Sequence, residues 1–293
     1  MVLIDGKKIA EEIKAELAHD IAHFIDHGDR APHLAAVLVG NDPASQTYVK
    51  NKEKACQRVG MISSIYKYPE TITEKGLLDV VDFINNDDDI DGLIVQLPLP
   101  DHIASSKVIQ QIDPAKDVDG FHPVNVGRMA LNLPAYVSAT PYGILQLLER
   151  YKIETEGKHC VVLGRSNIVG SPVSILLAKK TYPGNCTVTL CHSKTQNIEK
   201  IMKEADILIA AIGQAGFVTA DMVKNDAVVI DVGIHRVPDE SKARGYRLVG
   251  DVKFEEVAAK CSFITPVPGG VGPMTITALL LNTFKAFKKE IYP

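Results

Sequence analysis

Apolar and polar positions along the chain follow two periods, short β-branched runs and longer stretches with helical spacing. In the first stretch, the apolar residues recur every three or four positions and are expected to face a core: Ile9, Ile13, Leu17, Ile21 and Phe24. The first half shows helical patterns over Gly6–His27, Ser45–Val59 and Thr73–Asn85, and strand patterns over His33–Val39, Ser63–Tyr68 and Gly92–Leu97. This alternation predicts an α/β protein with largely parallel sheets.

A second alternating series follows a polar stretch that runs from Asp113 to about Thr140. It has strand patterns at Lys158–Leu163, Thr187–His192, Ile207–Ala211, Ala227–Val232 and Ser262–Thr265, and helical patterns at Gly170–Lys180, Gln196–Glu204 and Met274 to about Lys289. We predict two α/β domains. The first spans 1–140 and is completed by a C-terminal helix at 274–293, and the second, at 141–273, is a Rossmann-like doubly wound parallel sheet.

Composition limits the possible partners and compartments. The chain has 293 residues, 46% of them hydrophobic, and a formal net charge of −4, which argues against a nucleic-acid or membrane-surface protein. No apolar run reaches the roughly 20 residues that span a bilayer, and no secretory signal pattern begins the chain. Five scattered cysteines without a C-x-x-C pair favour reduced thiols, so we expect a cytoplasmic protein.

A metal site is not predicted. His19, His23 and His27 lie one turn apart on the polar side of the first helix, where they form either a metal-binding stripe or, as we prefer, a solvated face. His122 has no carboxylate or nucleophile at a meaningful spacing and is interpreted as structural.

A glycine-bracketed turn, Gly164-Arg165-Ser166-Asn167-Ile168-Val169-Gly170, joins a β-branched run to a helical pattern. We expect unpaired backbone N–H groups at that helix start, where they can bind a phosphate. The turn is not a G-x-G-x-x-G motif, since Ser166 stands where the second glycine would be. An ordinary strand-to-helix connection therefore stays open as an alternative.

The next strand ends in Cys191-His192-Ser193-Lys194, without the acid that usually binds the ribose 2′-hydroxyl of NAD. Ser193, Lys194 and Arg165 would instead suit a 2′-phosphate, which favours NADP. The alternative is a plain loop in which Ser193 or Thr195 caps a helix. Small residues at two further strand ends, Ala211-Ile212-Gly213 and Asp231-Val232-Gly233-Ile234, agree with a cofactor at that edge.

The first domain carries a different set of polar residues. Tyr48 and Lys52 are four residues apart and lie on one helix face. They form either a proton-transfer pair or a solvated lysine with a tyrosine at the rim of the site. Gln96 ends a buried strand and would hydrogen-bond a nearby ammonium. Asp119 could pair with an amidine-like ring edge or simply form an Asp-Gly turn. The loop Gly269–Gly272 allows close backbone approach to a ligand or makes a tight bend.

In this order the motifs resemble the bifunctional methylenetetrahydrofolate dehydrogenase/methenyltetrahydrofolate cyclohydrolase family. The resemblance covers essentially the whole chain and rests on these segments: Gly40–Ser45, Tyr48–Lys52, Gln96–Pro100, Asp117–Gly120, Gly164–Gly170, Cys191–Thr195, Asp231–Ile234 and Thr265–Thr275. Ala139, Gln214 and His235 depart from the residues usual in the family.

The resemblance implies NADP-dependent oxidation of 5,10-methylenetetrahydrofolate and hydrolysis of the product to 10-formyltetrahydrofolate, in one-carbon metabolism. It implies Lys52, Tyr48 and Gln96 as catalytic residues. The implied substrate contacts are Tyr48, Lys52, Val95, Gln96, Leu97, Asp119, Pro268, Gly269, Gly270, Val271, Gly272, Pro273, Met274, Thr275 and Ile276. The implied cofactor contacts are Gly164, Arg165, Ser166, Ser193 and Ile234. The resemblance also implies two α/β domains flanking a cleft, and a homodimer. A shikimate-type dehydrogenase and a nucleotide-sensing module remain as alternatives.

Overall fold

The computed structural model describes residues 1–242 and 245–293, and those ranges contain eleven β-strands and ten α-helices. The strands are β1 (Val2–Leu3), β2 (His33–Val39), β3 (Ile62–Tyr68), β4 (Gly92–Val95), β5 (His159–Leu163), β6 (Thr187–Cys191), β7 (Ile207–Ala210), β8 (Val228–Asp231), β9 (His235–Pro238), β10 (Tyr246–Val249) and β11 (Phe263–Ile264). The helices are α1 (Gly6–Asp26), α2 (Pro43–Val59), α3 (Glu74–Asn85), α4 (Ser105–Gln111), α5 (Pro123–Ala130), α6 (Ala139–Arg150), α7 (Gly170–Ala178), α8 (Ile198–Lys203), α9 (Phe254–Ala258) and α10 (Val271–Phe287).

The chain divides into two compact units. The six-stranded unit comprises Met1–Glu11 and Thr140–Thr275, and the three-stranded unit comprises Glu12–Ala139 and Ile276–Pro293. The expected ranges of 1–140 and 141–273 differ from this division chiefly in the first eleven residues. These residues group with the six-stranded unit because β1 pairs in parallel with β11 and the Ile4 N–H donates to the Ile264 carbonyl at 2.8 Å.

The six-stranded sheet has the order β1-β11-β8-β7-β5-β6, and all its pairs are parallel. From β5 the chain winds outward to β6 on one side and through β7, β8 and β11 on the other. The strand order therefore reverses beside β5, and ligands of doubly wound sheets bind at such a point, at the carboxyl ends of the strands. The four central strands are buried almost throughout, as expected for a parallel sheet covered on both faces.

The three-stranded sheet has the order β3-β2-β4, again parallel, with β2 in the centre. Alternate residues of β2 enter two separate apolar clusters, one on each face of the sheet. The cluster on one face includes Leu17 and Ile21 of α1 together with Leu279 and Phe284 of α10. The expectation that the last helix packs against the first half of the chain is therefore confirmed.

The largest differences from the predicted elements lie where local apolar periodicity is weak. The polar stretch from Asp113 to Thr140 contains α5, whose start is capped by His122, since its Nδ1 accepts the Val124 N–H at 3.0 Å. The helix α10 begins at Val271 rather than Met274. Pro273 consequently occupies the third helical position, where its missing N–H still leaves no helical hydrogen bond unmade.

The five cysteines are all free and buried. In the part of the chain that the structure describes, no helix is long and apolar enough to cross a membrane. Across residues 1–242 and 245–293, no three His, Cys, Asp or Glu side chains are grouped as metal ligands. His23 and His27 are exposed at the C-terminal end of α1, with ring centroids 4.2 Å apart and ring planes inclined at 52°.

Candidate functional site

The helix α2 presents Tyr48 and Lys52, and local sequence fixes both of its ends. The Asp42 carboxylate accepts the Ser45 N–H at 2.7 Å, and Pro43 occupies the first turn. Gly60 ends the helix in the left-handed conformation, at φ 84°. Val49, Cys56 and Val59 face the core, so the positions of Tyr48 and Lys52 are set by the burial of the opposite face.

Lys52 and Gln96 are in direct contact. The Lys52 Nζ donates to the Gln96 Oε1 at 3.3 Å. Gln96 follows β4, and its own N–H donates to the Val37 carbonyl at 2.9 Å, which continues the pairing of β4 with β2. The Gln96 Nε2 donates to the Leu97 carbonyl at 2.7 Å. Because the amide nitrogen is held in this way, the amide oxygen is directed at Lys52.

Asp119 is a carboxylate close enough to Lys52 for the two charges to interact. Burial raises the pKa of Asp119 above its ordinary value, and the charge of Lys52 opposes the shift. The following residue, Gly120, has φ 70°, and a Cβ there would collide with the backbone of Val137 and Ser138. The turn at Asp119 is thus packed against the segment that contains Val137 and Ser138, and only glycine fits at position 120.

Asn282 of α10 supports the same turn, although it was not among the predicted site residues. It is 1% exposed, and its Nδ2 donates to the carbonyls of Val118 and Val137, both at 2.9 Å. A single amide in an otherwise apolar helical pattern was the available signal, because a buried amide must have partners.

Tyr48 lies on the same face of α2 as Lys52, but it does not take part in the hydrogen bond between Lys52 and Gln96. Its side chain is 49% exposed, and in the described ranges its hydroxyl contacts no hydrogen-bond partner. The remaining predicted substrate residues of the three-stranded unit differ in burial: Val95 is buried, whereas Leu97 and Ile276 are half-buried. The structure thus places Lys52, Gln96 and Asp119 together in this unit.

The predicted substrate segment Pro268–Thr275 belongs to the six-stranded unit and comprises a tight bend at its start followed by the first residues of α10. The Gly270 N–H donates to the Pro266 carbonyl at 2.8 Å, and the Gly269 carbonyl accepts the Lys7 N–H at 3.0 Å. Gly269 has φ 109°, which favours glycine. A Cβ on Gly6 would overlap the Gly270 carbonyl, so the loop lies directly on the backbone at the start of α1.

The glycine turn after β5 is also tightly packed. Gly164 has φ 105°, and a Cβ there would overlap the Ala211 carbonyl. A Cβ on Gly170 would in turn overlap the Gly164 carbonyl. Both glycines are therefore required for strand and helix to approach each other, as in dinucleotide-binding turns.

One expectation about this turn is wrong. The first N–H groups of α7 are not unpaired, because the Ser166 Oγ accepts the Val169 and Gly170 N–H groups at 3.2 and 3.4 Å. The Ser166 carbonyl accepts the Ser171 N–H at 3.1 Å, and the next residue, Pro172, has no N–H. Ser166 acts here as a helix cap. Its hydroxyl hydrogen remains available as a donor, so an anion would meet this side chain rather than bare helix amides.

The predicted cofactor residues lie at one edge of the six-stranded sheet. The Gly164 N–H donates to the Cys191 carbonyl at 2.9 Å, so the turn that bears Arg165 and the loop that bears Ser193 begin side by side. Arg165 and Ser193 are exposed, and so is Ile234, which follows β8. Neither Ser193 nor Thr195 caps a helix, because α8 begins at Ile198 after Asn197, and the Thr195 Oγ1 instead accepts the His192 N–H within the loop at 2.9 Å. A cation and a free hydroxyl without an acid at the end of β6 fit a 2′-phosphorylated dinucleotide.

Two buried carboxylates also lie near this edge, and only the first of them was within a predicted motif: Asp231 ends β8, whereas Asp251 follows β10 and accepts the N–H groups of Ile212 and Gly213. Asp231 accepts the N–H groups of Gly233, Asp251 and Val252 at 2.9–3.0 Å. Burial, with a smaller contribution from the Asp251 charge, raises the pKa of Asp231 to about 6, against the effect of its backbone hydrogen bonds. Asp251 was not predicted, although an acid next to Gly250 and flanked by Val249 and Val252 was a visible signal.

Relatives of this chain cover its whole length. It is 61% identical over 292 residues to the "Bifunctional protein FolD" of Bacteroides fragilis, which covers 100% of both chains. It is 62% identical over 286 residues to the protein of the same name from Cytophaga hutchinsonii, covering 98% of this chain and 99% of the relative.

Solved structures agree with these relatives. The bifunctional FolD methylenetetrahydrofolate dehydrogenase/cyclohydrolase from Campylobacter jejuni is 46% identical, with a TM-score of 0.93 and 99% of both chains covered. The Trypanosoma brucei FolD enzyme, solved with NADP cofactor and an inhibitor, is 39% identical with a TM-score of 0.92, covering 100% of this chain and 99% of that one.

Two family descriptions match most of the chain. Residues 4–119 match "Tetrahydrofolate dehydrogenase/cyclohydrolase, catalytic domain", and residues 138–291 match "Tetrahydrofolate dehydrogenase/cyclohydrolase, NAD(P)-binding domain". On these matches, and on relatives about 60% identical over the full length, the chain belongs to the tetrahydrofolate dehydrogenase/cyclohydrolase family.

Proposed function

We propose that this chain is a bifunctional folate enzyme. It oxidises 5,10-methylenetetrahydrofolate to 5,10-methenyltetrahydrofolate with NADP, and hydrolyses that product to 10-formyltetrahydrofolate. The observation that carries the proposal is the Lys52 ammonium held by Gln96 at 3.3 Å beside the half-buried Asp119 carboxylate. Cofactor binding alone requires none of these three side chains, whereas proton transfer beside a bound pterin uses all of them.

Oxidation of the methylene group needs alignment more than acid–base chemistry. A nitrogen lone pair of the substrate assists departure of the hydride, and the positive charge that develops is shared by the two nitrogens. NADP, when bound, supplies the hydride acceptor. The residues of this chain orient the reactants. Asp119 binds the amidine-like edge of the pterin through paired charge-assisted hydrogen bonds.

Hydrolysis requires protons to move, and Lys52 is the group that moves them. In its neutral form, Lys52 accepts a proton from the water that adds to the methenyl carbon. It then returns that proton to the ring nitrogen as the C–N bond breaks. The new hydroxyl loses its hydrogen to solvent, which leaves a formyl group and releases one proton overall. Gln96 keeps the Lys52 nitrogen in place, and Tyr48 completes the polar face of α2.

The six-stranded unit contributes the cofactor contacts. We assign Gly164, Ser166 and Arg165 to the phosphates, Ser193 to the 2′-phosphate together with Arg165, and Ile234 to an apolar contact. The loop Pro268–Thr275 and Ile276 are assigned to the substrate. The domain functions follow, with folate chemistry in the three-stranded unit and NADP in the six-stranded unit. A homodimer and a cytoplasmic location stay predictions.

The test is a spectrophotometric assay of the purified chain with methylenetetrahydrofolate and either NADP or NAD. We expect reduction of NADP, preference for NADP over NAD, and separate hydrolysis of added methenyltetrahydrofolate. Failure to oxidise methylenetetrahydrofolate with either nucleotide would overturn the proposal. If the chain failed this assay but turned over a hydroxy acid, it would be a dehydrogenase of another substrate class. If it bound nucleotide without any turnover, it would be a sensing module.

A further inference from the structure

Asp251 is a fully buried carboxylate that joins two loops of the six-stranded unit. Its side chain is 0% exposed. The Oδ2 atom accepts the N–H groups of Ile212 and Gly213 at 2.8 and 2.9 Å, and the Oδ1 atom contacts the His235 Nε2 at 2.7 Å. The Asp251 N–H in turn donates to the Asp231 Oδ1 at 2.9 Å. None of these contacts is used by the proposed chemistry.

The two loops follow neighbouring strands at the edge where the cofactor is expected. Ile212 and Gly213 come directly after β7, and Ile234 and His235 come after β8, which pairs with β7. Ile234 is itself an assigned cofactor contact and is 53% exposed. A link between these loops through Asp251 therefore fixes the backbone on which a bound dinucleotide would lie.

His235 supplies the side-chain half of that link. Within the ranges that the structure describes, its imidazole is the only side chain that hydrogen-bonds to Asp251. A buried carboxylate must have its lone pairs satisfied, and the nearby carboxylate of Asp231 increases this need. The imidazole is 23% exposed, so it connects the buried carboxylate to the rim of the sheet.

The surrounding backbone is shaped to hold this arrangement. A Cβ on Gly233 would overlap the Asp251 Oδ1 and N atoms, and a Cβ on Gly250 would overlap the Asp231 carboxylate. Residue His235 also pairs with Val249 in the β9–β10 hairpin, two positions before Asp251. The base of the hairpin thus brings His235 and Asp251 together from both of its strands.

From this geometry we propose that His235 is a positioning residue for NADP. It holds the Asp251 carboxylate against the Ile212–Gly213 backbone, and it thereby keeps that loop and the adjacent Ile234 in the arrangement that binds the cofactor. The inference rests on the proposed function only in placing NADP at this edge of the sheet. It assigns His235 no role in the folate chemistry.

The experiment compares His235→Ser with His235→Gln. The Gln amide nitrogen is as many bonds from the Cβ as the imidazole Nε2 and can still donate to Asp251, whereas the Ser hydroxyl is too short to reach it. Both side chains are polar at a partly exposed position, so both variants are expected to fold. The readouts are the NADPH dissociation constant by fluorescence titration, the KM for NADP, kcat and the thermal midpoint.

We expect His235→Ser to raise the NADPH dissociation constant and the KM for NADP about tenfold, as when the binding arrangement of the loops is populated only about a tenth of the time. We expect kcat and the KM for the folate to stay within twofold. His235→Gln should restore both NADP values to within threefold of wild type. A change in the two NADP values without a change in kcat or in the KM for the folate would distinguish positioning of the cofactor from a general destabilisation of the six-stranded unit.

Three outcomes would overturn the inference. The first is an unchanged NADPH dissociation constant in His235→Ser, and the second is an equal rise of that constant in both variants. The third is that His235→Ser fails to fold while His235→Gln stays folded, which would mean that the contact serves stability alone. Because direct NADPH binding needs no folate turnover, these outcomes can be read even if the wild-type chain fails the folate assay. That failure would count against the proposed function and not against His235.

Discussion

The Lys52 Nζ and the Gln96 Oε1 lie 3.3 Å apart, and the glutamine is locked by its own bond to the Leu97 carbonyl. This relationship gives Lys52 a fixed, uncharged acceptor. A carboxylate at the same point would hold the lysine in its charged form and make it a poor base. The Gln96 amide positions the Lys52 ammonium without favouring its charged form in this way. Such an arrangement suits a group that must lose and regain a proton.

Lys52→Met is therefore expected to abolish hydrolysis of methenyltetrahydrofolate while leaving folate binding partly intact. Removal of a general acid–base typically costs roughly 10²- to 10⁴-fold in rate. The check is the cyclohydrolase rate, alongside the folate dissociation constant of the same variant.

The matched control is Lys54→Met, which changes an exposed lysine two positions further along α2. It should hydrolyse methenyltetrahydrofolate at the wild-type rate. If Lys52→Met retained near-normal cyclohydrolase turnover, the catalytic role of Lys52 would be refuted.

Asp119 gives the folate affinity a pH dependence. The carboxylate form is the one that accepts paired hydrogen bonds from the pterin. Because burial raises the pKa of Asp119, against the effect of the Lys52 charge, protonation begins at a higher pH than for an ordinary aspartate. The KM for methylenetetrahydrofolate should therefore rise as the pH falls through the acidic range, and the measurement is a pH profile of that KM.

Asp119→Asn should have a KM that is raised about 10- to 100-fold and no longer responds to pH in this range, given the roughly 1.5–3 kcal/mol of a hydrogen bond to a charged group. Asp101→Asn changes an exposed aspartate in the same unit and should keep the wild-type profile. A wild-type KM in Asp119→Asn would remove this carboxylate from pterin recognition.

Arg165 is expected to determine the preference for NADP over NAD. It is exposed in the turn after β5, next to the loop that bears Ser193. Arg165→Ala should raise the KM for NADP about 10- to 100-fold, because it removes charge-assisted hydrogen bonds to a phosphate. The KM for NAD, which lacks the 2′-phosphate, should change far less.

The comparison is made in one preparation, with Lys180→Ala as an exposed control elsewhere in the six-stranded unit. That variant should leave both Michaelis constants unchanged. An equal loss for NADP and NAD in Arg165→Ala would show that the guanidinium contacts a part shared by both nucleotides.

Much of the architecture could be predicted because its signals are local. The strand β2 was predicted at its observed bounds, His33–Val39, since a continuous apolar run bounded by polar residues is typical of a buried parallel strand. The contact between Lys52 and Gln96 was also predicted, because a glutamine at the end of a buried strand must find a polar partner.

The remainder depended on contacts between distant parts of the chain. The two residues of β1 carry no recognisable strand pattern, and only their pairing with β11 makes them a strand. The helix α5 lies in a polar stretch and is set by the His122 cap. At the glycine turn, Ser166 folds back onto the helix amides, which its position in the motif did not indicate.

Gly164 has a backbone conformation and a packing environment that both exclude a side chain. Its φ of 105° is unfavourable for other residues, and a Cβ would meet the backbone carbonyl of Ala211, which cannot rotate away. Gly157→Ala is the matched control, since that glycine has φ 71° but open space around it. The pair separates backbone strain, present in both variants, from overlap, present only in Gly164→Ala.

Gly164→Ala should lower the free energy of unfolding by about 2 kcal/mol more than Gly157→Ala does, the usual cost of forcing atoms into a packed site. The apparent thermal midpoint should then fall about 4–8 °C further, measured by differential scanning fluorimetry. NADPH binding should weaken in Gly164→Ala alone, because strand and helix must separate at the turn that bears Arg165 and Ser166. Equal melting and equal NADPH binding in the two variants would mean that the close approach of β5 and α7 is dispensable.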